Sequence, residues 1–172
     1  MRRSAEEDTA DLTPRAPGPA GLFSRWLEAR APIPAPDVES PQGLRILVAA
    51  DHEVTRKAFS LTLSPVCDVV YTAASGEEAL RALGTTRFDL VFIDVHMPGM
   101  GGVEAVCALR DSEPPGARTP VVAIATGLSD RDREACRLAG MDGFADTPVE
   151  TRTLFALVRQ VLAQAQALAE AA

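Results

Sequence analysis

The sequence contains very little lysine, aromatic residue or cysteine. Of its 17 Lys and Arg residues only Lys57 is a lysine, and the chain has one Trp and one Tyr. The net charge of -7 and the pI near 4.8 argue against a broad nucleic-acid surface, because phosphate binding requires clustered Lys and Arg. The cysteines are odd in number and far apart in apolar segments, which favours buried reduced thiols over a disulfide framework or a zinc site: Cys67, Cys107 and Cys136.

Apolar segments of the kind found in secretory signals and membrane spans are also missing from this sequence. The first residues, MRRSAEEDTADL, contain no apolar segment of the kind that a secretory signal requires. No apolar run approaches the roughly 18 residues that a membrane span needs. We therefore expect a cytoplasmic protein that does not insert into membranes.

The composition changes near residue 42. Residues 1–42 hold seven of the thirteen prolines, which predicts a largely disordered tail. Within it, residues 21–30 (GLFSRWLEAR) place apolar side chains at helical spacing. This segment is either a weak, transient helix in a linker or a short docking element for the domain or for a partner. Residues 43–168 are long enough for one domain of ordinary size.

Residues 43–168 alternate between strand-like and helix-like segments. Apolar runs predict five strands, LRILVAA, DVVYTA, LVFID, VVAIA and MDGFA. Helical segments follow them, EVTRKAFSLTL, SGEEALRAL, VEAVCALR, DREACRLA and ETRTLFALVRQVLAQ; Ser75 and Glu78 have capping-box spacing, and Gly84 is the expected stop. Five βα units predict an α/β fold, a doubly wound parallel sheet with helices on both faces.

Polar residues follow the predicted strands at the edge where such sheets carry their functional sites. Asp51 follows the first strand and Asp94 ends the third, so two carboxylates are expected to converge. Such a pair serves hard-cation binding, acid/base chemistry or a carboxylate nucleophile assisted by a cation. Either aspartate alone is equally well explained as a helix N-cap or turn former.

The motifs RILVAADHEVTRK, AASGEEALRAL, FDLVFIDVHMPGMGG, TPVVAIAT and GMDGFADTP occur in this order along the chain. Together they resemble the receiver domain of two-component response regulators, particularly the version attached to hybrid histidine kinases. The resemblance covers residues 43–166 and depends above all on FDLVFIDVHMPGM. It implies a flavodoxin-like fold of five βα units with strand order 2-1-3-4-5.

The resemblance also implies site roles. Asp94 would be the phosphoacceptor, taking a phosphoryl group from a phosphohistidine with Mg²⁺ bound. Asp51 would ligate Mg²⁺ directly, and His96 would contribute its backbone carbonyl to the metal. Met97, Pro98 and Gly99 match the turn that shapes this loop.

Three positions depart from the family pattern and are degenerate. Ala50 replaces the first acid of the metal-binding pair, Ala125 replaces the hydroxyl residue of the switch, and Thr147 replaces the lysine before proline. Thr126 would bring a hydroxyl into reach only if the strand end shifted by one residue, since neighbours on a strand point to opposite faces. Phe144 is either the aromatic switch residue or an ordinary core phenylalanine.

These departures change the local electrostatics of the pocket. The pocket of this chain contains Asp51 and Asp94 and no lysine, which gives a formal charge of -2. The usual pocket of the family, with three carboxylates and one lysine, has the same formal charge. We therefore expect weaker Mg²⁺ binding, because one ligand is lost and water can replace it. An ion pair at about 4 Å and an effective dielectric near 20 contributes on the order of 4 kcal/mol, so the missing lysine should alter the formation and stability of an acyl phosphate.

The leading hypothesis is a stand-alone, atypical receiver domain in a bacterial phosphorelay that acts by protein–protein interaction. It is either phosphorylated on Asp94 by a histidine kinase or phosphotransfer protein, or a pseudoreceiver that regulates a kinase without phosphate. Because the chain ends soon after the last helix, we expect its output to be a binding event. We also expect a monomer or weak homodimer. The expected interface is the surface of DREACRLAG, MDGFAD and the last helix, where the candidate contacts are Arg131, Arg133, Arg137 and Phe144. A merely solvated helix face would explain those arginines as well.

A hypothesis of a different class is an Asp-nucleophile phosphatase on a similar parallel sheet. Such enzymes generally require a second Asp two residues after the nucleophile, a position that His96 occupies in this chain. They also require a lysine later in the chain, and no lysine follows Lys57. The sequence also contains no GxxxxGK[ST] loop and no GxSxG elbow. We therefore expect no enzyme activity beyond self-phosphorylation and dephosphorylation at Asp94.

Overall fold

The computed structural model describes residues 43–114 and 117–171. The strands are β1 (Leu44–Ala49), β2 (Cys67–Ala73), β3 (Leu90–Asp94), β4 (Val121–Ala125) and β5 (Gly143–Asp146). The helices are α1 (Glu53–Leu63), α2 (Gly76–Thr85), α3 (Gly102–Ser112), α4 (Asp130–Leu138) and α5 (Thr151–Glu170). The predicted tail and its segment 21–30 lie outside the described residues.

The strands form one parallel sheet in the order β2-β1-β3-β4-β5. The predicted flavodoxin-like fold and strand order are therefore confirmed. The bounds of β3 and β4 agree with the predicted segments, whereas β5 begins two residues later than expected and α5 continues six residues past the predicted Gln164. Within the described ranges, no helix is both long and apolar enough to cross a bilayer.

The hydrophobic core lies on both faces of the sheet. On one face, alternate strand residues form a cluster with residues of α1 and α5: Ile46, Val48, Phe59, Leu63, Leu90, Phe92, Val122, Ile124, Ala145, Leu154, Val158 and Val161. The intervening strand residues are buried on the other face, as the period of two requires: Leu47, Val91, Ile93 and Ala123. β2 is an edge strand, and Val69 is 40% exposed there, so β2 is less buried than the central strands.

The start of α2 shows the predicted capping arrangement in part. Ser75 Oγ accepts a hydrogen bond from the N–H of Glu78 at 3.2 Å, which satisfies one free donor of the first turn. The Glu78 carboxylate reaches back to the N–H of Ala74 at 2.7 Å, one residue earlier than the capping-box spacing predicts. Gly84 does not stop the helix, which continues to Thr85.

A polar cluster lies at the end of the sheet opposite the carboxyl ends of the strands. The Arg110 guanidinium donates to the carbonyl oxygens of Gly140 at 2.8 Å and Thr119 at 2.9 Å, and it pairs with Glu113 at 2.7 Å. It also lies 3.4 Å from Asp142, whose carboxylate accepts from the N–H of Val121 at 2.9 Å and pairs with Arg118 at 2.8 Å. The Arg110 side chain is only 17% exposed. It therefore ties α3 to the segments that precede β4 and β5.

All three cysteines are unpaired, as predicted. Cys136 is fully buried, and burial raises the pKa of its thiol. Cys67 is half-buried, its thiol pKa is also raised by burial, and its Sγ donates to the Leu63 carbonyl at 3.0 Å. Cys107 is exposed on α3, so the prediction of a buried thiol is wrong there. An apolar flanking sequence does not settle which face of a helix carries a residue.

Candidate functional site

Asp94 is the last residue of β3, and its side chain is half-buried at the carboxyl end of the sheet. The N–H of His96 donates to Asp94 Oδ1 at 2.9 Å, so the following loop turns back over the carboxylate. Gly99, in this loop, has a φ of 77°, in the left-handed region that favours glycine. A Cβ on Gly102 would lie 2.3 Å from the Asp94 carbonyl oxygen, so the start of α3 needs glycine to approach this closely. The loop and α3 together position Asp94.

Asp51 follows β1 at the same edge of the sheet. Its Oδ1 lies 2.6 Å from Nδ1 of His52, whose ring is 76% exposed. Arg56 reaches back from α1 and donates to the carbonyl oxygens of Ala50 and Asp51. Sequence reasoning assigned no role to His52 or Arg56, although a position five residues after Asp51, one turn into a helix, is where a long side chain can return to the strand end.

The pocket disfavours a charged Asp94. Burial raises the pKa of the Asp94 carboxyl, and the nearby Asp51 carboxylate raises it further. The His96 N–H and, more weakly, the His96 and His52 side chains act in the opposite direction. Thr147 stands where the resemblance expects a lysine, and Lys57 pairs with Glu53 on α1 at 2.7 Å. Asp94 therefore carries a charge that the described residues compensate only in part.

The donor set at this edge suits a hard cation. Asp51 and Asp94 supply carboxylate oxygens, and the carbonyl of His96 belongs to the loop that folds over Asp94. Among residues 43–114 and 117–171, no three or more His, Cys, Asp and Glu side chains are grouped as a metal site. Ala50 is fully buried in the core cluster and offers no ligand. Two carboxylates with carbonyl oxygens fit Mg²⁺, which usually keeps several waters, better than metals that need all-protein ligand cages.

The carboxyl ends of β4 and β5 carry hydroxyls rather than a hydroxyl and a lysine. Ala125 is 2% exposed and offers no polar group. Thr126 and Thr147 lie just beyond the two strands, and their Oγ1 atoms are 2.9 Å apart. The Thr147 N–H donates to the Ala125 carbonyl at 2.9 Å, which extends the β4–β5 ladder to this point. The structure thus brings Thr126 and Thr147 together, a contact that the sequence did not predict.

Phe144 lies on β5 beneath an arginine of α4. The Arg133 guanidinium carbon is 5.6 Å from the centroid of the Phe144 ring, and Arg133 also pairs with Asp146 at 2.8 Å. Of the other predicted interface arginines, Arg137 pairs with Glu134 of the same helix, and Arg131 is exposed. Arg133 therefore contacts the predicted switch aromatic through a cation–π interaction and is itself held in place by its ion pair with Asp146.

Comparisons with known proteins place this geometry in a family. The family model described as the response regulator receiver domain matches residues 46–159. The sensory/regulatory protein RpfC of Xanthomonas campestris is 34% identical over 109 residues, which are 63% of this chain and 15% of RpfC. The chain thus spans a small part of that relative's length.

Two solved structures share the fold over nearly their whole length. The chemotaxis protein CheY4 of Vibrio cholerae has a TM-score of 0.65 and 31% identity, covering 70% of this chain and 99% of that chain. The receiver domain of the sensor histidine kinase PA1611 of Pseudomonas aeruginosa, which has a magnesium ion coordinated in its active-site cleft, has a TM-score of 0.64 and 26% identity. It covers 71% of this chain and 99% of that chain. With the fold, the paired aspartates at the strand tips and a family match over residues 46–159, the chain belongs to the response regulator receiver domains of two-component signalling.

Proposed function

We propose that this chain is an atypical receiver that accepts a phosphoryl group on Asp94 and signals through protein contacts. The observation that carries the proposal is the half-buried Asp94 carboxylate at the end of β3. It lies near Asp51, and the loop that follows β3 folds over it and donates the His96 N–H to it. The donor would be a phosphohistidine of a histidine kinase or phosphotransfer protein. An Asp94 oxygen attacks the phosphorus, the P–N bond breaks, and the imidazole nitrogen retains the electron pair and takes up a proton.

The residues that would hold Mg²⁺ are Asp51, Asp94 and, through its carbonyl, His96. The cation would supply charge stabilisation at the phosphoryl oxygens. The His96 N–H fixes the Asp94 carboxylate, and Arg56 fixes the turn that carries Asp51, so this chain's own contribution is positioning. Because Ala50 contributes no acid, we expect weaker Mg²⁺ binding than a pocket with three carboxylates would give.

Two surfaces suit protein partners. Next to the pocket, α1 exposes Val54 at 80% and Leu61 at 76%, and a cavity of about 310 Å³ separates it from the loop that contains Pro148. We assign the approach of the phosphodonor protein to this surface, because the first turn of α1, which carries Val54, directly follows Asp51. We assign contact with a signalling target to α4, β5 and α5, where Arg131 is exposed and Phe144 is partly accessible.

A second candidate is a phosphate-independent pseudoreceiver that regulates a kinase. The observation that favours it is the contact of Arg133 with both Phe144 and Asp146, which holds the aromatic residue without any phosphoryl group. The methyl side chain of Ala125 cannot donate a hydrogen bond to a phosphoryl oxygen. A modification that makes no differential contacts in two states cannot shift their populations. On this reading, the α4–β5–α5 surface binds its partner whether or not Asp94 is modified.

Phosphorylation can be tested with Mg²⁺ and a small-molecule phosphodonor such as phosphoramidate, followed by intact-mass measurement. We expect one added phosphoryl group, lost in Asp94→Asn and retained in Asp111→Asn, which makes the same charge change on the exposed outer part of α3. No modification of the wild-type chain, or equal modification of Asp94→Asn, would contradict the proposal. Sustained turnover of small phosphomonoesters, which we do not expect, would instead favour the phosphatase hypothesis.

Backbone NMR with Mg²⁺ and beryllofluoride separates the two signalling candidates. Shifts that extend from Asp94 to Phe144 and α5 would support a phosphorylation switch and exclude the pseudoreceiver. Shifts confined to the surroundings of Asp51 and Asp94 would favour phosphate binding without a switch. Asp94→Ala serves as the control that must show no shifts of either kind.

We also propose that the chain acts in the cytoplasm as a monomer or weak homodimer. The support for a reducing compartment is that Cys67, Cys107 and Cys136 are all unpaired. Fractionation of cells and sedimentation of the purified chain are the respective measurements.

A further inference from the structure

An open groove runs along one side of α5, between this helix and the chain around the start of β1. Its volume is about 660 Å³, and most of its surface is apolar. The apolar residues that line it include Leu44, Val66, Phe155 and Leu162. Val66 is 38% exposed and Phe155 is only partly buried. Apolar surface in this groove is therefore left uncovered by the described residues.

The same groove carries two positive charges. Arg152 and Arg159 of α5 both line it, and both side chains are exposed. A separation of seven residues is two helical turns, so the two arginines lie on the same side of α5, about 10.5 Å apart along its axis. None of the ion pairs among the described residues involves either of them. The groove therefore suits an apolar segment that also carries acids.

The part of the chain that leads into the domain arrives at this groove. Residues 31–42, APIPAPDVESPQ, lie outside the described residues and end just before β1. Leu44, the first residue of β1, is itself part of the groove. The segment contains no Lys or Arg, and its only charges are Asp37 and Glu39. Its composition thus complements both the apolar lining and the positive charges of the groove.

The segment is also long enough to run along the groove. An extended residue spans at most about 3.3–3.6 Å, so residues 37–43 cover up to about 25 Å. From Leu162 back to Arg152 the helix rises only about 15 Å. Pro41 and Gly43 are turn-forming residues at the point where the segment would have to reverse before β1. A turn there leaves enough chain for both acids to reach the two arginines.

We propose that residues 31–42 dock in the α5 groove of their own chain. Glu39, the acid closer to β1, would pair with Arg159, and Asp37 would pair with Arg152. The four prolines of the segment favour an extended polyproline conformation, which loses little conformational entropy in an apolar groove with an aromatic residue. Because the segment is covalently attached, its effective concentration at the groove is on the order of millimolar, so even a weak contact is populated.

This inference is independent of phosphorylation at Asp94. It concerns α5, a helix that also belongs to the surface proposed above for contact with a signalling target. A docked segment would close this side of α5 to other proteins and would confine target binding to the remaining α4–β5–α5 surface.

NMR of the full chain tests the contact directly. We expect nuclear Overhauser effects between the methyl groups of Val38 and the ring of Phe155. In a mixture of differently labelled chains, these effects should arise within one molecule. Effects that arise only between molecules would assign the groove to a second copy of the chain and overturn the proposal. Absence of any such effect would leave the groove to a different partner and would also overturn it.

Cleavage by a glutamate-specific protease tests the role of the charges. When docking equilibrates faster than cleavage, the cleavage rate after Glu39 follows the undocked population. The double variant Arg152→Gln with Arg159→Gln should raise this rate by about fivefold, as two exposed ion pairs would. The matched control is Arg87→Gln with Arg131→Gln, which removes two exposed arginines outside the groove and should leave the rate unchanged.

Cleavage after Glu28 of the same chain serves as the internal reference for protease activity. A rate after Glu39 that stays within about twofold of wild type in the groove variant, or that rises equally in the control, would overturn the proposal. Circular dichroism identifies a groove variant that has lost the fold. In that case Asp37→Asn with Glu39→Gln decides, because it changes only the segment: the Overhauser effects to Phe155 should weaken, and unchanged effects would contradict the pairing.

Discussion

Replacing Asp94 with Asn should stabilise the folded chain at neutral pH. The Asp94 carboxyl has a raised pKa because it is half-buried and lies near the Asp51 carboxylate, so folding disfavours its ionised form. The amide of asparagine has nearly the same shape, and its oxygen can still accept the hydrogen bond from the His96 N–H. The substitution therefore removes the charge and keeps the contact.

The size of the effect follows from the electrostatics of the pocket. Two carboxylates about 4 Å apart repel by about 1 kcal/mol in water and about 4 kcal/mol at an effective dielectric near 20. Asp94 is only half-buried, so solvent screening places the effect in the lower part of this range, at about 1–2 kcal/mol. We expect urea denaturation at pH 7 without Mg²⁺ to show this gain in the free energy of unfolding for Asp94→Asn.

The pH dependence gives the sign of the effect independently. The folded-state pKa of Asp94 lies above its unfolded value, which is about 3.9 for an ordinary Asp. Its contribution to stability is therefore fully present below the unfolded pKa and is lost as the pH rises through the folded pKa. The advantage of Asp94→Asn over wild type should vanish in acid and reach its full size at neutral pH.

Asp111→Asn, which removes an exposed carboxylate of α3, is the control and should change stability by less than about 0.5 kcal/mol. A destabilised Asp94→Asn, or a gain that is the same at pH 3 and pH 7, would refute the electrostatic reasoning. Addition of Mg²⁺ should raise the stability of wild type more than that of Asp94→Asn, because the cation binds the ionised pair.

Three further substitutions test other parts of the structure. Ala50→Asp should lower the melting temperature in EDTA, since it places a third acid at a fully buried position, and should increase the stabilisation by Mg²⁺ in thermal melts. Thr147→Lys should weaken or remove the pH dependence ascribed to Asp94, as seen in urea denaturation between pH 3 and pH 7, because an ammonium group beside the carboxylate favours its charged form. Arg110→Met should lower the free energy of unfolding by about 2–4 kcal/mol, because it leaves the nearly buried Glu113 carboxylate without its arginine and removes the bonds to the Gly140 and Thr119 carbonyls, while Asp142 keeps Arg118; the exposed Arg87→Met should have little effect in the same urea titration.

The secondary structure was predictable where one physical signal dominates. The strands LVFID and VVAIA are short, apolar and β-branched, and their bounds agree with prediction. The end of α2 was not predictable from Gly84, because a glycine one residue before a helix end weakens the helix without ending it. The length of α5 was also underestimated, since its last turns, QAQALAE, carry helix-favouring residues with little core pattern to mark them.

For the site, the sequence predicts which residue follows each strand. Asp51 and Asp94 are placed at one edge by the parallel order of β1 and β3 alone. The Thr126–Thr147 contact depends on the register between β4 and β5, which no single segment specifies. The contacts of Arg56 with the β1–α1 turn and of Arg133 with Phe144 depend on side-chain conformations that only packing selects.

The sequence by itself determined the architecture and the chemistry available at the strand tips. Alternating apolar runs and helical periods require a doubly wound parallel sheet, and such a sheet brings Asp51 and Asp94 to a common edge whatever the details of packing. It also determined what is missing there, because the identities of Ala50, Ala125 and Thr147 do not depend on conformation.

Only the tertiary structure decided how the pocket is completed. Strand pairing brought the hydroxyls of Thr126 and Thr147 together, and the loop after β3 turned the His96 N–H toward the Asp94 carboxylate. The physical reason is that the threonine contact joins residues far apart in the chain, whose distance is set by hydrogen bonding across the sheet, whereas the His96 contact is local but depends on the loop conformation that packing against the sheet selects. Local sequence patterns carry no information about those distances.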